Sequence, residues 1–417
     1  MSDASSNFQA IFIAALVINV VLQRWLAKRH LNHVEAHRQS VPDSFADKIA
    51  LADHQKAADY TVVKTRIGSI DGLIQAALLL FWTLGGGLNW LDGFWQQLGW
   101  SQLTCGIAFL LSAFFIFAVL DLPISLYNTF VIEQRFGFNK TTLSTYITDL
   151  LKQSVLLLCL GVPLLGAVLW LMESSGPLWW LYVWGVWMGF SLFLMWFYPV
   201  AIAPLFNKFS PLEDTALRER IGSLLERNGL NMQGIFVMDG SRRSGHGNAY
   251  FTGFGANKRI VFFDTLLEGL EPEEIEAVLA HEVGHFRKKH ITKQIALHSI
   301  LSLLGLALLG WLMRQAWFFA GLGLSQPSMA GALLLFLLVV PLFTFFLTPI
   351  LAALSRKHEF EADAFAAEQA DASSLVSALV KLYKDNASTL TPDPLYSAFH
   401  DSHPPAPVRI AELTASR

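Results

Sequence analysis

The stretch from His281 to His285 contains the spacing H-E-x-x-H, whose residue types could perform metal-assisted hydrolysis. A proline among three acidic residues at 271–274 is typical of a helix start, and apolar residues then recur on one face, so we predict a helix here. On that helix His281 and His285 would project from the same side and could share a tetrahedral zinc ion. Glu282 would then lie beside the metal as the general base for a bound water.

A third protein ligand is needed, because a catalytic zinc site has three protein ligands and one open position. The metzincin position six residues after His285 is Ile291, so the ligand must come from elsewhere. Glu359 and Asp363 lie four residues apart and would face one way on a helix. We predict Glu359 as the third ligand and Asp363 as the residue that orients a ligand histidine. Glu361 would lie about 200° away from both and would not reach the metal.

The composition predicts a membrane protein with many spans. Of 417 residues, 53% are hydrophobic and only 15% are charged, whereas about 25% are charged in a soluble domain. The mean hydropathy of +0.43 agrees. A net charge of −3 argues for no nucleic-acid partner. Cys105 and Cys159 fall inside apolar runs, so they fit neither a zinc site nor a disulfide framework.

Seven apolar segments are predicted to be transmembrane helices. They cover 8–22, 70–91, 103–122, 154–172, 179–203, 295–311 and 329–354. Arg24, Lys28 and Arg29 follow the first segment, whereas a signal peptide carries its positive charges in front of its apolar run. We therefore predict that the first span is retained and that the fold is an α-helical polytopic membrane protein.

The distribution of positive charge predicts the topology. Lysines and arginines lie almost entirely in four segments, 24–68, 123–152, 204–292 and 355–417. The connections on the opposite side hold only Arg314. The positive-inside rule therefore places the N-terminus outside and the C-terminus in the cytoplasm. Both parts of the metal site then lie on the cytoplasmic side.

This topology divides the chain into four parts. They are a membrane region at 1–203 with five spans, a cytoplasmic α+β zinc metallopeptidase domain at 204–292, two spans at 293–354, and a segment at 355–417 that completes the active site. Within the second part, an amphipathic helix is indicated at 217–225 and a strand at 234–238. Strands at 248–254 and 259–263 would pair as a hairpin across a Gly-Ala-Asn turn.

The sequence resembles the type I CAAX prenyl proteases, which are integral-membrane zinc endopeptidases of the gluzincin class. Besides H-E-x-x-H, the matching motifs are FVIEQRFGFNK at 130–140, PLFNK at 204–208, GSRR at 240–243, NAYF at 248–251, SRKHEFEAD at 355–363 and HPP at 403–405. The resemblance covers most of the chain. It implies seven helices that enclose a large intramembrane chamber with one zinc ion at its cytoplasmic end. It also implies cleavage near the C-terminus of a prenylated peptide.

The resemblance also implies roles for residues whose pattern alone leaves two interpretations open. Asn248, Ala249 and Tyr250 could be a buried strand, but the resemblance makes them an edge strand that holds the substrate in extended form. His403 and Arg409 could be surface residues of the tail. The resemblance makes them polar neighbours of the scissile carbonyl that stabilise the oxyanion.

The expected partners are a peptide or protein substrate, lipidated if the resemblance extends to the substrate, and membrane lipids. His290 is expected to be a structural partner and not a ligand. The run at 245–247 is more glycine-rich than the eukaryotic form, and the tail at 414–417 has no lysine-rich retrieval signal. We therefore expect a bacterial member in the inner membrane.

Other interpretations stay open at this point. A short motif can match by chance on a solvated helix, and so can an acidic pair. A related protein class would be a membrane zinc protease that clears damaged membrane proteins. A different class would be a transporter with a structural zinc site. Such a site is closed, often by cysteines, and a general base beside it would have no purpose.

Overall fold

Long apolar helices fill the first half of the chain in the computed structural model, which describes residues 3–230, 234–252 and 259–415. Between residues 3 and 208 the helices are α1 (Asp3–His37), α2 (Leu51–Trp82), α3 (Gly87–Gln96), α4 (Gln102–Tyr127), α5 (Gln134–Phe136), α6 (Leu143–Ser174), α7 (Trp179–Phe197) and α8 (Ala203–Phe206). π-Helical turns at Asn128–Glu133 and Tyr198–Ile202 continue α4 into α5 and α7 into α8. Each of these pairs is therefore one helical rod.

A small sheet and three helices follow. They are β1 (Phe209–Pro211), α9 (Thr215–Arg227), β2 (Gly234–Met238), β3 (Ala249–Thr252), β4 (Arg259–Phe263), α10 (Asp264–Gly269) and α11 (Pro272–Arg287). The strand order is β1-β2-β4-β3, in which β2 and β4 are parallel and the other pairs are antiparallel. The amphipathic helix, the strand after it and the pairing of the last two strands are confirmed. The predicted turn at 255–257 lies outside the described residues.

Two further spans and several short helices complete the chain. They are α12 (His290–Leu312), α13 (Ala316–Gly321), α14 (Met329–Thr344), α15 (Thr348–Gln369), α16 (Ala372–Asp385), α17 (Pro394–His400) and α18 (Ala406–Ala415). A single 3₁₀ turn at Phe345–Leu347 joins α14 to α15. The helix that carries Glu359 is therefore a direct continuation of the last span.

The number of spans agrees with the prediction. Within the described residues, six helical segments are long and apolar enough to cross a membrane, and the bent pair of α2 and α3 would make a seventh. The second span was expected to be continuous over 70–91, and this was wrong. The helix stops after Trp82, and α3 begins at Gly87 at an angle of 49°. Gly86 lies in the break with a φ of +83°, a conformation that favours glycine.

Apolar packing in the membrane region is concentrated at one end of the helices. The buried apolar residues of α6, α7 and α12 lie at the last turns of α6, the first turns of α7 and the last turns of α12. Elsewhere a cavity of about 800 Å³ opens between α1, α2, α14 and α17. Asn19, Gln23 and Lys64 line one wall, and Leu342 and Phe345 line another. No residue of the H-E-x-x-H motif lines this cavity, so the chamber with a zinc ion at its cytoplasmic end stays a prediction.

A second apolar core joins the sheet to the C-terminal helices. Its buried members come from the segments that precede and follow the last two spans in the sequence. They include Ile221, Phe262, Val283, Leu379 and Ile410. Each fully buried side chain of this size contributes about 1.5–3 kcal/mol. The C-terminal segment is therefore part of the same packed unit as the sheet.

Two features fix α11, the helix with the H-E-x-x-H motif. At its start, Pro272 occupies the first turn, and Glu274 Oε2 accepts a hydrogen bond from the N–H of Glu271 at 2.8 Å. Glu274 also accepts hydrogen bonds from Ser377 Oγ at 2.6 Å and from Lys381 Nζ at 2.7 Å. Because both donors belong to α16, the start of α11 is tied to the C-terminal segment.

The most extensive helix contact in the described chain is that of α11 with α15. It is tight at Gly284, where a Cβ atom would lie 3.0 Å from Ala362 Cα and 3.2 Å from Phe365 Cβ. Such distances leave no room for a methyl group unless the helices move apart by a few tenths of an ångström. Gly284, which lies between the two histidines of the motif, thus allows α11 and α15 to pack closely.

Gly284→Ala should separate α11 from α15 and lower the stability of the protein by about 1–3 kcal/mol, because overpacked contacts are relieved only by backbone shifts. It should also weaken metal binding, since the predicted ligands lie on both helices. Thermal unfolding and metal content of the purified protein would show both effects.

Gly222→Ala on α9 is the matched control, because nothing lies within 4 Å of the added Cβ. An alanine in this open helical position should be stabilising by about 0.5–1 kcal/mol. Equal stability and metal content in Gly284→Ala and the parent protein would contradict the argument.

Candidate active site

Three potential metal ligands converge where α11 meets α15. His281 Nε2 lies 3.1 Å from His285 Nε2. Glu359 completes the group, with Oε1 at 3.3 Å from His285 Nε2 and Oε2 at 3.5 Å from His281 Nε2. In a tetrahedral site with ligands at 2.0–2.2 Å from zinc, ligand atoms are about 3.3 Å apart. Among the described residues this is the one group of three such side chains close enough to hold a metal ion.

The electrostatics of this group also fit a cation. Burial opposes a positive charge on His281, but hydrogen bonds to Asp363 and Glu359 outweigh it and raise the pKa of the imidazole to about 9. Glu359 Oε2 is buried and accepts no well-aligned hydrogen bond, although His403 Nδ1 lies 2.8 Å from it. A buried carboxylate oxygen left in this state suits a metal ion, which would satisfy it.

Asp363 lies behind His281 and is itself held by an arginine. The Asp363 Oδ1 atom lies 2.7 Å from His281 Nδ1, so the imidazole can donate its second N–H to this carboxylate. Arg409 donates from Nε to Asp363 Oδ2 at 2.7 Å and from Nη2 to Oδ1 at 2.5 Å. All three residues are buried. The arrangement leaves Nε2 of His281 free to face the centre of the group.

His403 and Arg409 both lie near Glu359 Oε2 but differ in burial. The His403 side chain is 66% exposed and reaches Glu359 from the solvent side. Arg409 is buried, and two of its nitrogens are used by Asp363. Its Nη1 is 3.8 Å from Glu359 Oε2. The structure thus shows Arg409 bound to Asp363, and the oxyanion role that the resemblance implied for it stays a prediction.

Glu282 is the least constrained carboxylate of the group. Burial raises the pKa of its side chain, although the nearby His281 and His285 oppose this effect. No described side chain donates a hydrogen bond to it, whereas Asp363 contacts His281 and accepts two hydrogen bonds from Arg409. A carboxylate with a raised pKa and no fixed partner can accept and release a proton.

The segment Asn248-Ala249-Tyr250 lies at the edge of the sheet. β3 pairs with β4 on one side, and no described strand pairs with its other side. Asn248 precedes the strand, and its backbone carbonyl accepts a hydrogen bond from the N–H of Phe263 at 2.9 Å. Tyr250 is half-buried, and burial raises the pKa of its hydroxyl to about 12. The structure therefore gives these residues the edge position that the resemblance implied.

Comparison with known protein families accounts for nearly the whole chain. Residues 30–208 match the N-terminal region of CAAX prenyl proteases, a family described by five membrane helices. Residues 211–417 match peptidase family M48. The chain belongs to peptidase family M48. It is therefore an integral-membrane metalloprotease, and the transporter alternative is set aside.

Several relatives of this M48 protein resemble it over most of their length. A CAAX prenyl protease 1 homolog of Arabidopsis thaliana is 35% identical, over 97% of this chain and 97% of the relative. A homolog of Homo sapiens is 34% identical, over 97% and 95%. The crystal structure of S. mikatae Ste24p is similar with a TM-score of 0.91 and 31% identity, and the match covers 97% of this chain and 99% of that chain.

These similarities confirm the fold class, the family and the class of enzyme expected of the M48 chain. They do not extend to the source of the protein. The relatives above are eukaryotic, so they give no support to the bacterial membrane expected from 245–247 and the tail. The last two residues of that tail lie outside the described range.

The sequence indicated His290 as a structural partner but not that it contacts His285, the second histidine of the motif. His285 Nδ1 lies 3.0 Å from His290 Nδ1, and His290 Nε2 lies 3.0 Å from Glu361 Oε2. Helical periodicity places His290 away from His285, but Lys289 between the helices has a φ of +56° and redirects the chain. Arg409 was also missed as the partner of Asp363. A basic residue 46 positions later gives no local signal for that contact.

Proposed function

We propose that this protein is a zinc endopeptidase in which His281, His285 and Glu359 bind one zinc ion. The observation that supports this most strongly is the spacing of 3.1–3.5 Å between the three ligand atoms. Two imidazoles and one carboxylate are a ligand set of hydrolytic zinc sites, in which a fourth position stays open for water or substrate. Neither cysteine takes part, since Cys105 and Cys159 belong to α4 and α6.

The residues around the metal divide the chemical work. When bound, zinc supplies a Lewis acid that acidifies water and polarises the peptide carbonyl. Glu282 takes a proton from the attacking water and later gives it to the leaving amine. His403, on the exposed side of Glu359, donates a hydrogen bond to the oxygen that gains negative charge. Asp363 keeps the N–H of His281 pointed away from the centre, and Arg409 keeps Asp363 in place.

We propose that the substrate binds as an added strand along β3, through the backbone of Asn248, Ala249 and Tyr250. The free edge of β3 offers backbone N–H and C=O groups that any peptide sequence can pair with. Main-chain pairing suits a protease because it holds the scissile peptide extended. It leaves selection among substrates to other surfaces.

The cavity between the membrane helices is the surface that we propose for a lipid group on the substrate. Its apolar wall, with Leu342 and Phe345, would bury an isoprenoid chain, and each buried methylene contributes about 0.8 kcal/mol. The names of the relatives, CAAX prenyl protease 1 homologs, favour the same substrate class. The second candidate is a protease for unmodified membrane proteins, which would use the same site without the lipid.

Glu282→Gln should keep its zinc and lose about 10²–10⁴-fold in turnover, because it removes the proton acceptor and leaves the ligands intact. Glu359→Ala should lose zinc and activity together. Zinc per protein and cleavage of a fluorogenic peptide would be measured for both. Normal turnover in Glu282→Gln would show that another group acts as the base.

Two peptides of one sequence, with a cysteine near the C-terminus either farnesylated or free, would test the substrate class. We expect a kcat/KM at least about tenfold higher for the farnesylated peptide, which corresponds to 1.4 kcal/mol. Glu282→Gln protein with each peptide is the control for contaminating proteases. Equal cleavage of the two peptides would favour the protease for unmodified proteins.

We further propose the topology and the four-part division at 203/204, 292/293 and 354/355, with the N-terminus outside and the metal site in the cytoplasm. In a protein with Cys105→Ala and Cys159→Ala, we expect that Gln97→Cys reacts with a membrane-impermeant maleimide in intact cells. Arg218→Cys, at a position that is also exposed, should react only after lysis. Labelling of Arg218→Cys in intact cells would reverse the topology.

A further inference from the structure

His290 is a buried polar residue that the proposed reaction does not use. Its side chain is 1% exposed, and both ring nitrogens have polar neighbours. Nδ1 faces His285 Nδ1 at 3.0 Å, and Nε2 faces Glu361 Oε2 at 3.0 Å. His290 thus bridges the outer nitrogen of a metal ligand to a carboxylate on α15.

Only one placement of protons satisfies all these contacts once His285 binds a metal. Coordination through Nε2 requires the His285 proton on Nδ1, where it can be donated only to His290 Nδ1. His290 Nδ1 must then accept, so its own proton is on Nε2. That proton is donated to Glu361 Oε2. The three side chains therefore form a directed series of hydrogen bonds that ends on a carboxylate.

A strained backbone conformation at Lys289 allows the contact between His290 and His285. Lys289 has a left-handed conformation with a φ of +56° and ψ of 34°, which places His290 at the first position of α12 facing back toward α11. A non-glycine residue is uncommon in this region and is strained there. The ring of His290 is also stacked on His358, at 4.1 Å between centroids and 14° between planes. The imidazole is thus held in both position and rotation.

We infer that His290 and Glu361 are positioning residues of the metal centre, which orient His285 and fix its tautomer. This inference rests on the proposed ligand set. It gives each ligand histidine its own support, with Asp363 and Arg409 for His281, and His290 and Glu361 for His285. Both acidic supports come from α15, the helix that supplies Glu359.

The two supports differ in their surroundings. Asp363 is buried, whereas the Glu361 side chain is 31% exposed and has Lys293 and Lys357 at 3.9 Å. Solvent weakens hydrogen bonds and ion pairs at exposed groups. Loss of Glu361 should therefore cost less metal affinity than loss of Asp363, and both should fall within the 10–100-fold range of such partners.

Four variants separate the hydrogen bonds from simple packing. His290→Phe keeps an aromatic ring against His358 but removes the acceptor, whereas His290→Asn keeps an acceptor where Nδ1 was. Glu361→Leu removes the carboxylate, and Glu361→Gln keeps an oxygen that can accept from His290. Glu368→Leu is the matched control, because Glu368 is an exposed carboxylate on the same helix.

The measurements are Zn²⁺ affinity by competition with a chelator, the visible spectrum of the Co²⁺-loaded protein, and thermal unfolding of the metal-free protein. His290→Phe and Glu361→Leu should bind Zn²⁺ about 10–100-fold more weakly and alter the Co²⁺ spectrum. His290→Asn and Glu361→Gln should each bind more tightly than its partner variant. Glu368→Leu should match the parent in every measurement.

The outcomes distinguish this inference from the proposed function. If the parent binds no Zn²⁺, the metal site itself fails, and the inference fails with it. If the parent binds Zn²⁺ and His290→Phe binds it equally well, only the positioning role is wrong. Equal losses in His290→Phe and His290→Asn would also overturn it, because the acceptor would then be irrelevant. If either His290 variant does not fold, the Glu361 pair decides in the same way.

Discussion

The close packing of α11 against α15 is the contact on which the active site depends. Of the proposed ligands, the two imidazoles come from one helix and the carboxylate from the other, so the distance between these groups is set by the distance between the helices. Gly284 and Ala362 permit that approach at the level of the ligands. Each helix is in turn linked to a span, α11 through the turn at Lys289 and α15 through Phe345–Leu347. The position of the proposed metal site relative to the membrane is therefore fixed by two connections, one through each helix.

The same anchoring explains how the membrane helices can enclose a cavity. Their buried apolar residues are gathered at the end away from the sheet, and a separate core joins the sheet to the C-terminal helices. The cavity can therefore lie between the two cores, because the helices are held together by packing on either side of it. α17 lies across this gap, where Arg29 pairs with Asp393 at 2.8 Å and Arg356 donates to the carbonyl of Asp401 at 2.7 Å. The polar tail thereby connects the first span to the last.

The sequence predicts those features that depend on local periodicity. The strand Gly234–Met238 and the common face of Glu359 and Asp363 are of this kind, because alternation and helical pitch determine them. The break after Trp82 was missed because hydropathy does not register a bend within an apolar run. The support of His285 was missed because one left-handed residue, Lys289, interrupts the pitch. The pairing of Arg409 with Asp363 depends on tertiary packing, which no local pattern encodes.

The histidines of the site are oriented by hydrogen-bond partners, whereas Glu282 has no such partner among the described side chains. His281 and His285 each have Nδ1 in contact with a partner, which leaves both Nε2 atoms directed at the centre. Buried charges such as Asp363 and Arg409 are costly unless paired, and here they are paired with each other. Glu282 has no such donor and lies in surroundings that raise its pKa. A ligand must stay in one orientation and one protonation state, whereas a general base must change its protonation state in every cycle. The contrast between the fixed imidazoles and the unconstrained carboxylate of Glu282 is what the proposed chemistry requires.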